Sequence, residues 1–149
     1  MKILVVDDEQ SYRMLLEDFL KREGWTTFSA SHGEEGLKVL STTSVNIVIS
    51  DVYMPIMDGL KFLKAARLVP GHENTPFLFV SANDDELTKA ALQAAKNGGF
   101  MKKSKPMHEL KAWIAYLLMP MDKRPALQPG STPESFTRTK PREDRAPRR

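Results

Sequence analysis

The residues best suited to chemistry in this sequence are carboxylates that follow directly after runs of apolar residues. The segment KILVV leads into Asp7, Asp8 and Glu9, and the segment NIVIS leads into Asp51. If the two runs are neighbouring strands of a parallel sheet, their carboxyl ends meet and these side chains converge. Two like unit charges 4 Å apart repel by roughly 4 kcal/mol at an effective dielectric constant of 20. The pattern therefore predicts a site that holds a cation.

The number and type of these carboxylates favour Mg²⁺ as that cation. Mg²⁺ keeps several of its waters and binds one or two carboxylates together with phosphate oxygens, and no segment has the ligand spacing of a Ca²⁺ loop. A plainer interpretation makes Asp7 and Asp8 a turn and the N-cap of a following helix, and makes Asp51 a turn residue. Only a shared site requires the three carboxylates to lie close together.

Two further apolar runs end on residues that suit a phosphoryl group. FLFVSAN ends on Ser81, and GFMKKSKP ends in Lys102, Lys103 and Lys105. A carboxylate such as Asp51 can act as a nucleophile towards phosphorus, a hydroxyl can donate to a phosphate oxygen, and an ammonium group is a compact positive charge. Taken singly, Ser81 is an ordinary loop residue and the lysines are a solvated run. Taken together along four strand ends, they predict a site for phosphoryl transfer.

Five strands and five helices are needed to position these residues. Apolar runs predict strands at 3–6, 26–31, 47–50, 77–80 and, from a weaker pattern, 100–102. Apolar residues at helical spacing predict helices at about 10–23, 34–41, 59–67, 85–96 and 107–118. Strands that alternate with helices in this way predict an α/β fold, a doubly wound parallel sheet with helices on both faces.

The composition predicts one folded domain over residues 1–121 and a disordered basic tail, rich in Pro and Arg, over residues 122–149. Of the 149 residues, 41% are hydrophobic, which is enough for a core, and the lack of cysteine excludes disulfides. Residues 122–149 carry eight basic and four acidic groups and too few large apolar residues to offset the entropy of ordering. No segment resembles a signal peptide or a transmembrane helix, which predicts a soluble, cytoplasmic protein.

The motifs ILVVDDE, NIVISDVYMPIMDGL, FLFVSAN and GGFMKKSKP follow one another over about residues 1–119, and together they resemble the receiver domain of two-component response regulators. This resemblance implies a flavodoxin-like (βα)5 fold with strand order 2-1-3-4-5, an order for which a receiver is itself a standard example. It further implies a bacterial phosphoprotein of two-component signal transduction or a phosphorelay. A stand-alone receiver of the chemotaxis type fits best, because no DNA-binding module follows.

The resemblance also implies roles for the acidic residues and the loop after them. Asp51 is implied as the phospho-acceptor, which would become an aspartyl phosphate. The implied Mg²⁺ ligands are Asp7, Asp8, Asp51 and the backbone carbonyl of Tyr53. Pro55 is implied to shape the loop after Asp51.

The remaining implied roles concern the phosphoryl group and its readout. Ser81 and Lys103 are implied to bind the phosphoryl group, and Ser81 and Phe100 to be the coupled switch residues. Tyr53 and Asn83 occupy positions at which receivers tune the lifetime of the phosphate.

One departure from the family pattern concerns the lysine. Receivers usually have Lys-Pro, commonly with a cis peptide bond, whereas this sequence reads Lys103-Ser104-Lys105-Pro106. The spacing from Phe100 favours Lys103, and the Lys-Pro pair favours Lys105. We choose Lys103, which places a Lys-Ser peptide at the usual cis position, where a cis bond without proline costs about 3 kcal/mol.

These inferences predict a single-domain response regulator that accepts a phosphoryl group on Asp51 from a histidine kinase or phosphotransfer protein. Phosphorylation would switch a protein-docking surface on the fourth helix, fifth strand and fifth helix. Apart from self-directed phosphoryl transfer and autodephosphorylation, we do not expect an enzyme, since a related phosphohydrolase needs a second Asp where Tyr53 stands. The kinase, the target, the phosphate lifetime and the choice between a monomer and a phosphorylation-dependent dimer stay open.

Three other functions are compatible with parts of the sequence. In the first, the basic tail of the receiver contacts nucleic acid or an acidic partner. In the second, the domain is a degenerate receiver that acts only as a scaffold, which is disfavoured because every expected site position is filled. In the third, the fold binds a nucleotide, which is weaker because no Gly-rich loop follows the first strand.

Overall fold

A computed structural model describes residues 1–128 and 131–133, in which five strands alternate with five α-helices. The strands are β1 (Lys2–Val6), β2 (Thr26–Ala30), β3 (Ile47–Ser50), β4 (Phe77–Ser81) and β5 (Gly98–Lys102). The helices are α1 (Gln10–Arg22), α2 (Gly33–Thr42), α3 (Gly59–Ala66), α4 (Glu86–Ala95) and α5 (Met107–Leu118), followed by a 3₁₀ turn at Met121–Lys123. The predicted α/β alternation is confirmed.

The five strands form one parallel sheet in the order β2-β1-β3-β4-β5, which confirms the predicted topology. Backbone hydrogen bonds continue the pairing one residue beyond the strands. The Asp51 amide donates to the Val6 carbonyl at 2.9 Å, and the Lys103 amide donates to the Ser81 carbonyl at 3.0 Å. The residues that follow β1, β3, β4 and β5 therefore lie along one edge of the sheet.

Helices cover both faces of the sheet, so the central strands are buried on both sides, as their continuous apolar sequences require. One face packs on α1 and α5 and the other on α2, α3 and α4. The first core contains Ile3, Val5, Leu16, Leu20, Ile49, Leu78, Met101, Trp113 and Ile114. The second contains Leu4, Val6, Val48, Phe62, Leu63, Phe77, Phe79 and Ala91. These two layers hold the strand ends in fixed register.

Glycines at the start of β5 permit close packing of α5. A Cβ atom added to Gly99 would lie 2.2 Å from Cζ3 of Trp113, whose ring is buried. The indole therefore occupies the space that a side chain would need. This contact explains why β5 begins two residues before the predicted strand, in a stretch with little intrinsic strand preference.

The segment after α5 lies only partly within the described residues. Residues 124–128 contact α5, and Leu127 packs against the first core. Residues 129, 130 and 134–149 lie outside the described part, and most of the predicted tail, with its alternative role in nucleic-acid binding, falls there. The division at Met121 therefore stays a prediction. None of the helices described has the length and apolar composition to cross a bilayer.

Gly99→Ala is expected to lower the free energy of unfolding by roughly 1–3 kcal/mol, the usual cost of overpacking a rigid core. Urea denaturation followed by circular dichroism measures this change. In a Trp113→Leu background the same substitution should cost much less, because the indole that it meets is gone. An equal cost in both backgrounds would exclude the contact with Trp113 as the cause.

Candidate functional site

Three carboxylates meet at the carboxyl edge of the sheet. Oxygen atoms of Asp7, Asp8 and Asp51 lie within 4.8 Å of one another. Asp7 is 2% exposed and Asp51 is 7% exposed, whereas Asp8 faces solvent. The plainer interpretation, in which an aspartate caps α1, is wrong, because the N-cap is Glu9 and Asp7 instead accepts a hydrogen bond from the Glu9 amide at 2.9 Å.

A single ammonium group pairs with two of these carboxylates, Asp7 and Asp51, and with the neighbouring Glu9. The Nζ atom of Lys103 lies 2.9 Å from Oδ2 of Asp7, 2.9 Å from Oδ2 of Asp51 and 3.1 Å from Oε1 of Glu9. The Lys103 side chain is 13% exposed, so these pairs are weakly screened by water. The lysine therefore joins the acidic residues that follow β1 and β3.

The structure distinguishes between the two candidate lysines. Lys103 reaches the carboxylates, whereas the Nζ of Lys105 lies 3.9 Å from Oε1 of Glu109 on α5, with its side chain about half exposed. The Lys103–Ser104 peptide is trans, as are all peptide bonds among the described residues. The position three residues after Phe100, and not the Lys-Pro pair, therefore marks the lysine of this site.

The loop after β3 holds the second oxygen of Asp51. Oδ1 accepts hydrogen bonds from the amides of Val52 at 2.6 Å and Tyr53 at 3.3 Å. The Gly59 amide donates to the Val52 carbonyl at 2.7 Å, and a Cβ atom on Gly59 would lie 2.6 Å from the Asp51 carbonyl oxygen. Ile56 in this loop has φ 71°, a strained value for a β-branched residue. The loop is therefore fixed by close backbone contacts around Asp51.

Burial and charge shift the protonation of the site in opposite directions. Burial raises the pKa of the Asp7 carboxyl to about 6; the Asp51 charge adds to this, and bonds from Glu9 and Lys103 oppose it. Burial alone would lower the pKa of Lys103, but its bonds to Asp51 and Asp7 outweigh burial and raise it. The lysine is therefore firmly protonated beside a carboxylate that is costly to ionise.

Sequence reasoning missed a second contact to the lysine. The Nζ of Lys103 lies 4.8 Å from the ring centroid of Tyr12, within the range of a cation–π interaction. Burial raises the pKa of the Tyr12 phenol to about 12. Its helical spacing indicated only that Tyr12 faces the core. Glu9 was likewise noticed as an acid, but its ion pair with Lys103 was not anticipated.

The two predicted switch residues lie on neighbouring strands, Ser81 at the end of β4 and Phe100 within β5. Ser81 is buried at the end of β4, where its Oγ accepts from the Asn83 amide at 3.2 Å; no hydrogen bond joins it to Asp51 among the described residues. Phe100 pairs with Phe79 across β4 and β5 and is half-buried against the second core. Ser81 therefore ends its strand at the edge where the carboxylates lie. Phe100 lies in β5, the strand that leads into Lys103.

A side-chain bond ties the β3–α3 loop to the start of α4. The hydroxyl of Tyr53 donates to Oδ2 of Asp85, and Oδ1 of Asp85 caps α4 by accepting from the Thr88 amide at 3.2 Å. This bond raises the pKa of Tyr53 to about 12 and lowers that of Asp85. Asp85 was predicted only as part of a helix start, because no local signal indicated its partner 32 positions earlier.

The fold and this site are those of a receiver domain. The family model described as the response regulator receiver domain matches residues 3–115, and the chain belongs to that family. The predicted identification with two-component response regulators is thereby confirmed.

Among the relatives, the chain is 38% identical over 103 residues to the probable chemotaxis protein CheY of Rhizobium etli, spanning 68% of this chain and 80% of that protein. It is 34% identical to the transcriptional regulatory protein PhoP of Bacillus subtilis, of which it spans 48%. The structure superposes on chemotaxis protein CheY4 of Vibrio cholerae with a TM-score of 0.74 and 29% identity, over 78% of this chain and 98% of that one. TrrA of Thermotoga maritima gives 0.70 and 32%, with the same coverage of both chains.

The raised pKa of Asp7 leads to a prediction about stability in metal-free buffer. As pH falls through about 6, the native state binds a proton at Asp7 before the unfolded chain does, since an aspartate in an unfolded chain titrates near 3.9. The free energy of unfolding of the wild type, measured against that of Asp7→Asn, should therefore rise by about 1 kcal/mol between about pH 7.5 and pH 5.

Urea titrations of both proteins across this range measure the difference. Titrating groups remote from Asp7 are common to both proteins and cancel in the comparison. If the difference in unfolding free energy does not change with pH, or grows towards alkaline pH, the raised pKa of Asp7 is contradicted.

Proposed function

We propose that this receiver accepts a phosphoryl group on Asp51 in a Mg²⁺-dependent reaction and thereby switches a protein-docking surface. The observation that carries the proposal is the position of Asp51, whose two oxygens are held by backbone amides and by Lys103 beside the further carboxylates Asp7 and Asp8. A structural ion pair alone would need one partner for the lysine. Here one ammonium faces three carboxylates. Such an excess of negative charge is typical of a functional site that binds a further cation.

In the proposed reaction an oxygen of Asp51 attacks phosphorus and forms an acyl-phosphate bond. The phosphorus–nitrogen bond of a phosphohistidine donor breaks, and its electron pair returns to the imidazole nitrogen. Lys103 lies 2.9 Å from the attacking carboxylate and stays within reach of the transferred oxygens. Ser81, at the adjoining strand end, offers a hydroxyl to the same group. Positioning and charge stabilisation of this kind supply most of the catalysis in phosphoryl transfer.

The donor set fits Mg²⁺. Two buried carboxylates and one exposed carboxylate, with oxygens within 4.8 Å of one another, are hard ligands that leave room for water and phosphate oxygens. Asp7, Asp8, Asp51 and the Tyr53 carbonyl would hold the ion, which when bound neutralises charge on the phosphoryl oxygens. The TrrA neighbour, 32% identical, was solved in complex with Mg²⁺-BeF, which supports Mg²⁺ binding by this chain.

Exposed apolar residues near the site support docking of a histidine kinase or phosphotransfer protein. Ile56, in the loop after Asp51, is 72% exposed, and Met14 and Leu15 on α1 are about half exposed. Exposed large apolar side chains of this kind are typical of protein interfaces.

The proposed output is a shift between two conformations of the α4–β5–α5 face. To move a 1:99 equilibrium to 99:1 requires about 5.5 kcal/mol of differential stabilisation. Charge-assisted hydrogen bonds from Lys103 and Ser81 to the phosphoryl group, at about 1.5–3 kcal/mol each, are of the right size. Ser81 would give up its bond with the Asn83 amide, and Phe100 would move into the vacated space.

Asp51→Asn is expected to abolish incorporation of phosphate from acetyl phosphate, because an amide oxygen is a poor nucleophile. Radiolabelled donor and gel autoradiography measure incorporation, and chelation of Mg²⁺ should abolish it in the wild type. Asp58→Asn is the matched control, since Asp58 caps α3 through the Lys61 amide and asparagine caps equally well. Undiminished labelling of Asp51→Asn would refute the assignment of the acceptor.

Tyr53→Phe is expected to shorten the lifetime of the phosphorylated form a few-fold. Without the hydroxyl, the β3–α3 loop is no longer tied to Asp85, and water reaches the acyl phosphate more readily. Loss of label after removal of the donor measures the rate. Asp85→Ser retains a helix cap but cannot reach Tyr53, so it should shorten the lifetime similarly. A long lifetime in both variants would rule out this bond as a determinant of hydrolysis.

A further inference from the structure

A cleft of about 750 Å³ runs along the outer edge of β5, between α4 and α5. Phe100 and Lys102 of β5, Lys96 of α4 and Trp113 of α5 are among its lining residues. Leu127 and Gln128, which follow α5 in the chain, form part of another wall of the cleft. The segment of residues 124–128, here called the C-terminal strap, therefore already covers part of the face on which the proposed docking surface lies.

The strap is fastened to the end of α5 by a set of polar contacts. Arg124 donates from Nη2 to the Leu117 carbonyl at 2.7 Å and from Nε to the Met119 carbonyl at 3.0 Å. These are carbonyls at the end of a helix, where a cation is favoured by the helix dipole. The hydroxyl of Tyr116 donates to the Pro125 carbonyl at 2.7 Å, and the Arg124 guanidinium lies 5.6 Å from the Tyr116 ring centroid.

One apolar residue of the strap, Leu127, packs against the core next to β5. Leu127 is partly buried against the first core, which includes Trp113 and Met101. β5 is the outermost strand of the sheet, and exposed strand edges are commonly covered by a loop or helix. The strap thus combines fixed polar contacts with one apolar anchor, as a bound peptide does, although it belongs to the same chain.

The strap lies against α5 in the conformation in which Asp51 is bonded to Lys103. In this conformation Lys103 pairs with the free carboxylates, and Ser81 is bonded to Asn83. Phe100 and Lys102 contribute to the same cleft as the strap, and Lys103 follows them directly in the chain. A change of Phe100 and Lys103 on phosphorylation would therefore alter the surface against which Leu127 and Gln128 rest.

We propose that the C-terminal strap is an internal ligand of the α4–β5–α5 face that favours the unphosphorylated conformation and is released when Asp51 is phosphorylated. This inference rests on the proposed function, because it requires the acceptor site to control that face. A partner protein that docks there competes with the strap. Because coupling between two sites is reciprocal, weakening the strap must also make the acceptor site easier to activate.

The test uses the full-length chain with Mg²⁺ and beryllofluoride, a tetrahedral mimic of the acyl phosphate. Hydrogen–deuterium exchange is followed in peptides that cover residues 51–59 and 117–128. In the wild type, beryllofluoride should protect residues 51–59 and raise exchange in residues 124–128.

Arg124→Gln is the variant that tests reciprocity, since glutamine cannot bond both helix-end carbonyls and carries no charge. It should raise exchange in residues 124–128 without beryllofluoride and raise the apparent affinity for beryllofluoride by at least about fivefold, the lower end of typical coupling factors. Leu127→Ala should act in the same direction. Lys123→Gln is the matched control, because it removes the same charge from the exposed neighbouring residue and should change neither quantity.

The outcomes separate the two proposals. Protection of residues 51–59 with unchanged or reduced exchange in residues 124–128, or equal affinities in Arg124→Gln and Lys123→Gln, would overturn the role of the strap and leave the acceptor site intact. Absence of any response at residues 51–59 in the presence of Mg²⁺ and beryllofluoride would overturn the proposed function, and the strap inference with it.

Discussion

The structure depends on how like charges are held together at one edge of a buried sheet. β1 and β3 are neighbours, so the chain must place Asp7 and Asp51 side by side at the end of an apolar core, where water screens their repulsion poorly. Lys103 resolves the conflict by lying within 3.1 Å of three carboxylates. The ammonium is itself held by the Tyr12 ring and by the backbone bond from Lys103 to Ser81. Removing the lysine charge would leave three neighbouring carboxylates uncompensated, so the arrangement depends on this single cation.

The surrounding scaffold keeps that group rigid. The two apolar layers fix the register of the strands, and the close approach of Gly59 to the Asp51 carbonyl fixes the loop that follows. The strained backbone of Ile56 is tolerated because neighbouring contacts determine the loop on both sides. Tyr53 and Asp85 then join this loop to the start of α4 through one hydrogen bond. The geometry around Asp51 is therefore connected to the surface by short, identifiable contacts.

β5 links the interior of the site to the outside of the molecule. Within six residues it places Gly99 against Trp113, Phe100 beside β4 and Lys103 among the carboxylates. The same strand forms the outer edge of the sheet, where the C-terminal strap lies. A strand with one end at the carboxylate cluster and one edge under the C-terminal strap is suited to the proposed coupling between them, because the intervening core is too densely packed to deform gradually.

Much of this protein was determined by local sequence pattern. The alternation of apolar strands and amphipathic helices, the acids after β1 and β3, and the order acid, acid, hydroxyl, lysine were enough to predict a doubly wound parallel sheet and the residues that meet at one edge, because periodicity and strand-end position are local properties. The strand order itself came from the resemblance to receiver domains. Which groups touch there was decided by the tertiary structure. Lys103 and not Lys105 reaches Asp7, 96 positions away; Glu9 and Tyr12 join the lysine; Asp85 pairs with Tyr53; and residues 124–128, predicted from composition to be disordered, contact α5. These contacts depend on loop conformation and on packing between residues far apart in the chain, which no local pattern encodes.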